Sequence, residues 1–297
     1  MQEFSFVITT ESNSELPYSW EDETGVRVLR MPYTIDDTEH YYDLGRDTDF
    51  TAFYNRMRAG ATVSTALRNQ NEAEEYFEPF LKSGKDILHI AFSSALSGTF
   101  HNEVNAAVAL LEKYPERKIL MVDTLAISAP LAQLVEHATA MQRQGASMEA
   151  IRDWVESNKQ RSCALFTVDS LEYLRRGGRL SGAAAFFGTV LEVKPVLYIS
   201  PDGKLMPLEK LRGRKRAIKY LVDQCAANIE NAETQTITIS HADCEKDALE
   251  LAKQIREQVK PKDVRIHHVG PTIGSHAGPG TLSVVFFGRS RAALKPQ

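Results

Sequence analysis

The sequence predicts an N-terminal Rossmann-like α/β domain with a parallel sheet, followed by a C-terminal α+β domain. Three observations lead to that fold class. In the first half, short apolar runs alternate with stretches of helical spacing, the pattern of parallel strands joined by crossover helices. Ile87, Leu88, Ile90, Ala91 and Phe92 form a nearly unbroken apolar run, as expected of a strand buried on both faces. Near residue 160 the rhythm changes, and Pro201-Asp202-Gly203 between two apolar runs signals a hairpin. The expected domains are therefore 1–160 and 161–297.

Taken in order, Phe4, Phe6, Val7 and Ile8 begin a first strand that runs into Thr9-Thr10-Glu11-Ser12. A second, over 26–31, is closed by Pro32. Phe50, Phe53, Tyr54 and Met57 keep helical spacing up to Gly60, which occupies a C-cap position. After the small, hydroxylated residues 61–65, Asn69 and Glu72 have the spacing of a capping box, and the helix they open carries Tyr76, Phe77, Phe80 and Leu81. The central strand at 87–92 stops at Ser93-Ser94, and Ser97-Gly98-Thr99 opens a helix with Ala106, Ala107, Leu110 and Leu111. A strand over 119–122 and helices over 128–144 and from Ser147 complete the first half.

In the second half, strands are expected at 164–168, 193–200, 204–211, 236–240, 264–269 and 282–287, with helices after Gly213 and over 246–259. The segment 183–191 is strongly apolar and reads either as a core helix or as the wall of a ligand tunnel. Residues 270–280 form a glycine-rich end around His276.

Composition narrows the function classes. A 43% hydrophobic, 25% charged chain is that of a soluble globular protein, and a net charge of −4 argues against general nucleic-acid binding. No apolar run approaches transmembrane length. The residues before Thr9 are too few and too polar for a signal peptide. Cys163, Cys225 and Cys244 have neither paired spacing nor a CxxC, which speaks against a disulfide framework or a zinc site. The expectation is a reduced, cytoplasmic protein with no metal and no cofactor.

Three hydroxyl-rich loops are expected, Thr9 to Ser12, Thr62 to Thr65 and Ser93 to Thr99, each following a strand or preceding a helix in the first half. Hydroxyls, free backbone N–H groups and a helix N-terminus together suit an anion such as a carboxylate or phosphate. The competing reading is that these residues are ordinary caps. His276 is flanked by glycines that allow close approach to a ligand. His89, inside the central strand, reads as a satisfied core histidine, and His267-His268 alternate across a strand instead of forming a metal pair. There is no GxSxG, Walker A loop, GxGxxG or HExxH. A triad of Ser93 or Ser94 with His276 and Asp123 remains a second reading, that of a Ser/His hydrolase or esterase acting on acyl substrates. Arg212, Arg214, Lys215 and Arg216 stand at a helix start, where cations oppose the macrodipole; the cluster reads either as a solvated basic face or as a group with an electrostatic task.

With those segments in place, the chain resembles the DegV family of bacterial fatty-acid-binding proteins over nearly its full length. The resemblance rests on Ile8-Thr9-Thr10-Glu11-Ser12 with Leu16-Pro17, on Ser64-Thr65, and on the run from Ser93-Ser94 to Ser97-Gly98-Thr99. Farther on it rests on Val168-Asp169-Ser170-Leu171 with Tyr173-Leu174, Arg176-Gly177-Gly178-Arg179, Lys194-Pro195, Lys210-Leu211-Arg212-Gly213, and Ile273-Gly274 through Gly280. It implies a DegV-like fold of two domains with one long-chain fatty acid buried between them. The carboxylate would be held by Thr65, Ser93, Ser94 and His276, with Ser97, Gly98, Arg212 and Gly274 as further ligand or partner contacts. It also implies a non-catalytic role as the acyl-carrying subunit of a fatty acid kinase, whose catalytic subunit makes an acyl phosphate for phospholipid synthesis. Two positions depart from the family pattern: Glu11 stands where Asp is common, and Ala66 where Ser is common.

Overall fold

The computed structural model describes residues 4–181 and 193–294, so the apolar stretch 183–191 lies outside the described residues. In chain order the elements are β1 (Phe6–Glu11), α1 (Trp20–Thr24), β2 (Arg27–Leu29), β3 (Pro32–Ile35), β4 (Thr38–Tyr41), α2 (Phe50–Arg58), β5 (Val63–Thr65) and α3 (Gln70–Lys82). There follow β6 (Asp86–Ala91), α4 (Thr99–Lys113), β7 (Ile119–Asp123), α5 (Ala129–Arg143), α6 (Met148–Asn158), β8 (Ser162–Thr167) and α7 (Glu172–Arg176). The last are β9 (Val193–Ile199), β10 (Leu205–Arg212), α8 (Arg214–Asn228), β11 (Thr236–His241), α9 (Glu245–Gln258), β12 (Asp263–His268), α10 (Pro271–Ala277) and β13 (Leu282–Phe287).

The chain forms two compact units. The first gathers Met1–Pro32, His40–Thr48 and Thr65–Lys159, and the second Tyr33–Glu39, Asp49–Ser64 and Gln160–Gln297. A parallel sheet of order β2-β1-β6-β7 organises the first unit. Its strand order reverses direction between β1 and β6, and in open α/β sheets ligands bind at the carboxyl ends of the strands beside such a point. Val7, Ile87 and Ile119 from the sheet pack with Ala73, Phe77 and Leu81 of α3 and with Ala106, Ala107 and Leu110 of α4. The capping box at α3 is formed: Glu72 N–H donates to Asn69 Oδ1 (3.0 Å), and Asn69 N–H donates to Glu72 Oε2 (2.8 Å).

The second unit holds a mixed sheet of order β10-β9-β8-β13-β11-β12, in which only the β11–β12 pair is parallel. Helices α8 and α9 bury Leu221, Val222, Leu251 and Ile255 with sheet residues such as Val196, Ile237 and Phe286. The β9–β10 connection is the expected hairpin: Gly203 takes φ +74° and Ser200 N–H donates to Lys204 O (2.9 Å). A smaller cluster joins Phe53, Tyr54 and Met57 of α2 to Ile35, Ala242 and Val269. A third sheet has the order β4-β3-β5.

Three hydroxyl-bearing or glycine-rich segments differ from the sequence expectation. Thr9, Thr10 and Glu11 lie within β1, not in a loop after it, and residues 63–65 form a strand. The glycine-rich end contains a helix, α10, which Pro271 opens at its first position.

Candidate functional site

The residues picked out from the sequence fall into two groups, one in each unit. In the first unit, β6 ends at Ala91 and delivers Phe92, Ser93 and Ser94 to the carboxyl edge of the sheet beside the β1–β6 reversal. Ser93 is fully buried; its N–H donates to Ala126 O (2.9 Å) and its Oγ accepts from Ala95 N–H (3.3 Å). Ser94 is partly exposed, and its N–H donates to Asp123 Oδ1 (3.2 Å), which also accepts from Leu125 N–H (3.0 Å). Asp123 is thus the acceptor that shapes this loop.

Ser97 Oγ donates to Thr99 Oγ1 (3.0 Å) and accepts from Thr99 N–H (3.2 Å), a local turn ahead of α4. Gly98 is exposed, and a Cβ there would meet Leu67 Cδ2 at 3.5 Å. The stretch after Thr65 is fastened to the same turn: Arg68 N–H donates to Thr99 Oγ1 (3.3 Å) and Asn102 Nδ2 to Arg68 O (2.7 Å). The first unit therefore brings the Thr65 segment and the loop over 93–99 to one neighbourhood.

The 9–12 segment spends its hydroxyls inside the fold. Thr10 Oγ1 donates to Ile90 O (2.8 Å), Ser12 Oγ accepts from Met31 N–H (2.9 Å), and Thr9 Oγ1 shares a hydrogen bond with His89 Nδ1 (2.8 Å). Ser14, in the turn after β1, is different. Its hydroxyl is buried with no hydrogen-bond partner among the described residues.

His89 departs from expectation. It is buried in β6, yet it faces two buried carboxylates: Nε2 lies 3.2 Å from Glu103 Oε2 and 3.8 Å from Glu11 Oε1. Burial disfavours a charged imidazole, but Glu103 and Glu11 outweigh it and lift His89 to about 10. Burial, then the Glu103 charge, raises Glu11 to about 7 against the pull of His89 and the Phe92 N–H, which donates to Glu11 Oε2 at 2.9 Å. Glu103 was overlooked in the sequence, although a signal exists. It precedes Ala106, Ala107 and Leu110 by three, four and seven residues, so it shares their buried stripe on α4.

In the second unit His276 sits on α10, partly exposed, and its ring lies directly over Gly177: a Cβ at that glycine would stand 2.2 Å from Nδ1. Burial, helped by the charge of Arg179, holds His276 down at about 4, so the imidazole is neutral at pH 7 and offers one N–H donor. Gly274 gives the same close approach to Tyr54, whose hydroxyl would be 2.4 Å from an added Cβ and which donates to Val269 O at 2.6 Å. Behind them, an added Cβ at Gly280 would stand 2.0 Å from Asp169 Oδ2, and Lys194 Nζ donates to Asp169 Oδ1 at 2.6 Å. Three motifs distant in sequence therefore meet at Asp169.

The basic cluster separates into two parts. Arg212, Lys215 and Arg216 are exposed. Arg214 is not part of a free basic face: its side chain is 17% exposed, Nε donates to Asp247 Oδ2 (2.8 Å) and Nη2 to Cys244 Sγ (3.4 Å). Its local conflict with the helix dipole is relieved by the Asp247 carboxylate.

No helix among the described residues is long and apolar enough to cross a membrane. The family model described as "Uncharacterised protein, DegV family" matches residues 5–289. A DegV domain-containing protein of Clostridium perfringens is 43% identical over 286 residues, covering 96% of this chain and 98% of that protein. Among solved structures, a DegV family protein of Thermus thermophilus described for its fatty acid binding is similar at TM-score 0.86 and 26% identity, over 96% of this chain and 100% of that one. A DegV lipid binding protein of Thermotoga maritima is similar at TM-score 0.84 and 25% identity, over 96% and 99% of the two chains. Sequence, topology and the arrangement of its motifs agree: the chain belongs to the DegV family.

Proposed function

We propose that this chain binds one long-chain fatty acid and holds its carboxylate with Thr65, Ser93, Ser94 and His276. The observation that carries the reading is its likeness, over 96% of its length, to a Thermus thermophilus structure described for fatty acid binding. The chemistry of the residues supports it. Ser93 and Ser94 stand at the carboxyl edge of a parallel sheet, and His276 is a neutral donor that can meet an anion without carrying a charge of its own. Burying an acyl chain contributes roughly 0.8 kcal/mol per CH₂ before association costs, so a few well-placed donors suffice for the head group. Ser97, Gly98 and Gly274 are further ligand contacts in this proposal.

The chain acts as a carrier, not a catalyst, and presents the carboxylate to the catalytic subunit of a fatty acid kinase. Arg212, exposed at the end of β10, serves that partner, together with Lys215 and Arg216. Extraction of the denatured protein followed by mass spectrometry tests the core of the proposal: a long-chain fatty acid in near-equimolar amount is expected. No lipid in the extract, with no binding of stearate or oleate in titration, would overturn it. Hydrolysis of acyl esters that stops on Ser93→Ala or Ser94→Ala would replace it with the hydrolase reading.

A further inference from the structure

Glu11, His89 and Glu103 lie outside the head-group set, and each is fully buried. One ligand atom from each lies within 4.8 Å of the other two. Their hydrogen bonding is incomplete. Neither oxygen of Glu103, nor Glu11 Oε1, nor His89 Nε2 has a hydrogen-bond partner among the described residues. At 3.2 Å, His89 Nε2 and Glu103 Oε2 are close, yet they are not aligned as a hydrogen bond. Two ligands about 2.1 Å from one tetrahedral ion sit about 3.4 Å apart, so the spacing is that of neighbours in a coordination shell.

Charge points the same way. Two carboxylates face a single imidazole, which when protonated balances only one of them, so the second buried carboxylate still calls for a proton or a cation. A divalent ion with a neutral imidazole and two carboxylates leaves the cluster electrically neutral. The surroundings already resemble an outer shell: Thr9 Oγ1 holds His89 Nδ1 at 2.8 Å, which fixes the ring with Nε2 directed at the carboxylates. Phe92 N–H holds Glu11 Oε2 at 2.9 Å, leaving Oε1 for the cluster.

We infer that Glu11, His89 and Glu103 form a structural site for a divalent first-row transition ion, with zinc as the reference case, beneath the strand end that carries Ser93 and Ser94. The mixed nitrogen and oxygen donor set suits zinc, and manganese or ferrous iron less tightly. Through Glu11 and Phe92, the ion would hold the end of β6 from below. This inference is independent of the proposed lipid.

The test uses the full chain, purified without chelator and then incubated with zinc chloride and desalted. Elemental analysis should find about one zinc per chain, and chelator treatment should lower the melting temperature in a way that added zinc reverses. Glu103→Gln keeps the shape of the side chain but removes a ligand charge. It should lose the bound zinc by at least about tenfold and lose the zinc-dependent melting shift. A folded wild-type chain with no retained zinc, manganese or iron after incubation with each would overturn the site, leaving the cluster balanced by a proton instead. Equal zinc retention by wild type and Glu103→Gln would overturn it too, because the metal would then lie elsewhere. If Glu103→Gln does not fold, Thr9→Val takes its place. It breaks the His89 Nδ1 contact and should weaken zinc retention about tenfold or more, and unchanged retention would count against the site.

Discussion

Replacing Gly177 by alanine tests whether His276 contacts the ligand, without touching that residue itself. The added Cβ would stand 2.2 Å from His276 Nδ1 and 3.0 Å from Cε1, where ordinary contact begins near 3.4 Å, so the ring must retreat by about 1 Å. Gly177 has φ −73°, which any residue adopts, so the backbone accepts the substitution and the strain falls on the imidazole. A hydrogen bond of ordinary length does not survive a displacement of about 1 Å. Losing one such bond to a carboxylate costs about 1.5–3 kcal/mol, which raises Kd about 10- to 150-fold. Displacement of a fluorescent fatty acid by stearate measures this, with circular dichroism confirming that the variant is folded. His276→Ala should weaken binding to the same degree, and the double variant no further, since both changes remove one interaction. A folded Gly177→Ala protein whose Kd stays within about twofold of wild type would refute the assignment of His276 to the head group.

Other consequences are equally accessible. His276 and His267 are both held down at about 4 by burial, with smaller contributions from Arg179 and from Arg265 respectively. The unfolded chain binds protons at these groups below about pH 6.5 while the fold does not, which removes at most about 3 kcal/mol for each histidine between pH 6.5 and 4. Glu11, raised to about 7, opposes them because the fold binds its proton first, so two histidines against one carboxyl leave a net fall in the stability of lipid-free protein. Urea unfolding at a series of pH values checks the direction, and a flat profile across that window would contradict it. Asn69→Ala removes the Oδ1 acceptor of the α3 capping box, leaves the backbone N–H bond to Glu72, and should cost about 1 kcal/mol, read as a lower urea midpoint with unchanged m. Arg212→Glu should leave stearate affinity unchanged while slowing acyl-phosphate formation with a fatty acid kinase, most at low salt; unchanged kinetics would remove Arg212 from the docking surface. Arg214→Glu should instead lower thermal stability, because it places a second carboxylate beside Asp247.

Local periodicity made much of the fold legible. The apolar run over 87–92, the Asn69–Glu72 spacing, the hairpin at 201–203 and the apolar stripes of α3 and α4 each depend on a few neighbouring residues. The backbone propensities and burial periods that shape such segments act over that same short range. The family motifs were legible for the same reason, since their residues stand close together in sequence. The partners of these residues were not. Glycines 177, 274 and 280 stood out in the sequence, but only packing revealed that the first makes room for His276, the second for Tyr54 and the third for Asp169. Arg214 read as one cation among four until the structure set Asp247, thirty-three residues away, against it.

The Glu11–His89–Glu103 cluster marks the same boundary most clearly. Periodicity places Glu103 on the buried stripe of α4 and His89 inside a strand, and so predicts two buried polar side chains without saying what they meet. The pairing of β1 with β6 sets Thr9 opposite His89, which decides that Glu11 and His89 approach each other across almost eighty residues of chain. Likewise, the packing of Tyr33–Glu39 and Asp49–Ser64 with the second unit was decided in three dimensions. A sequence determines which side chains prefer burial because that preference is local. Which buried groups then share an environment depends on strand register and helix docking, which are properties of the whole chain.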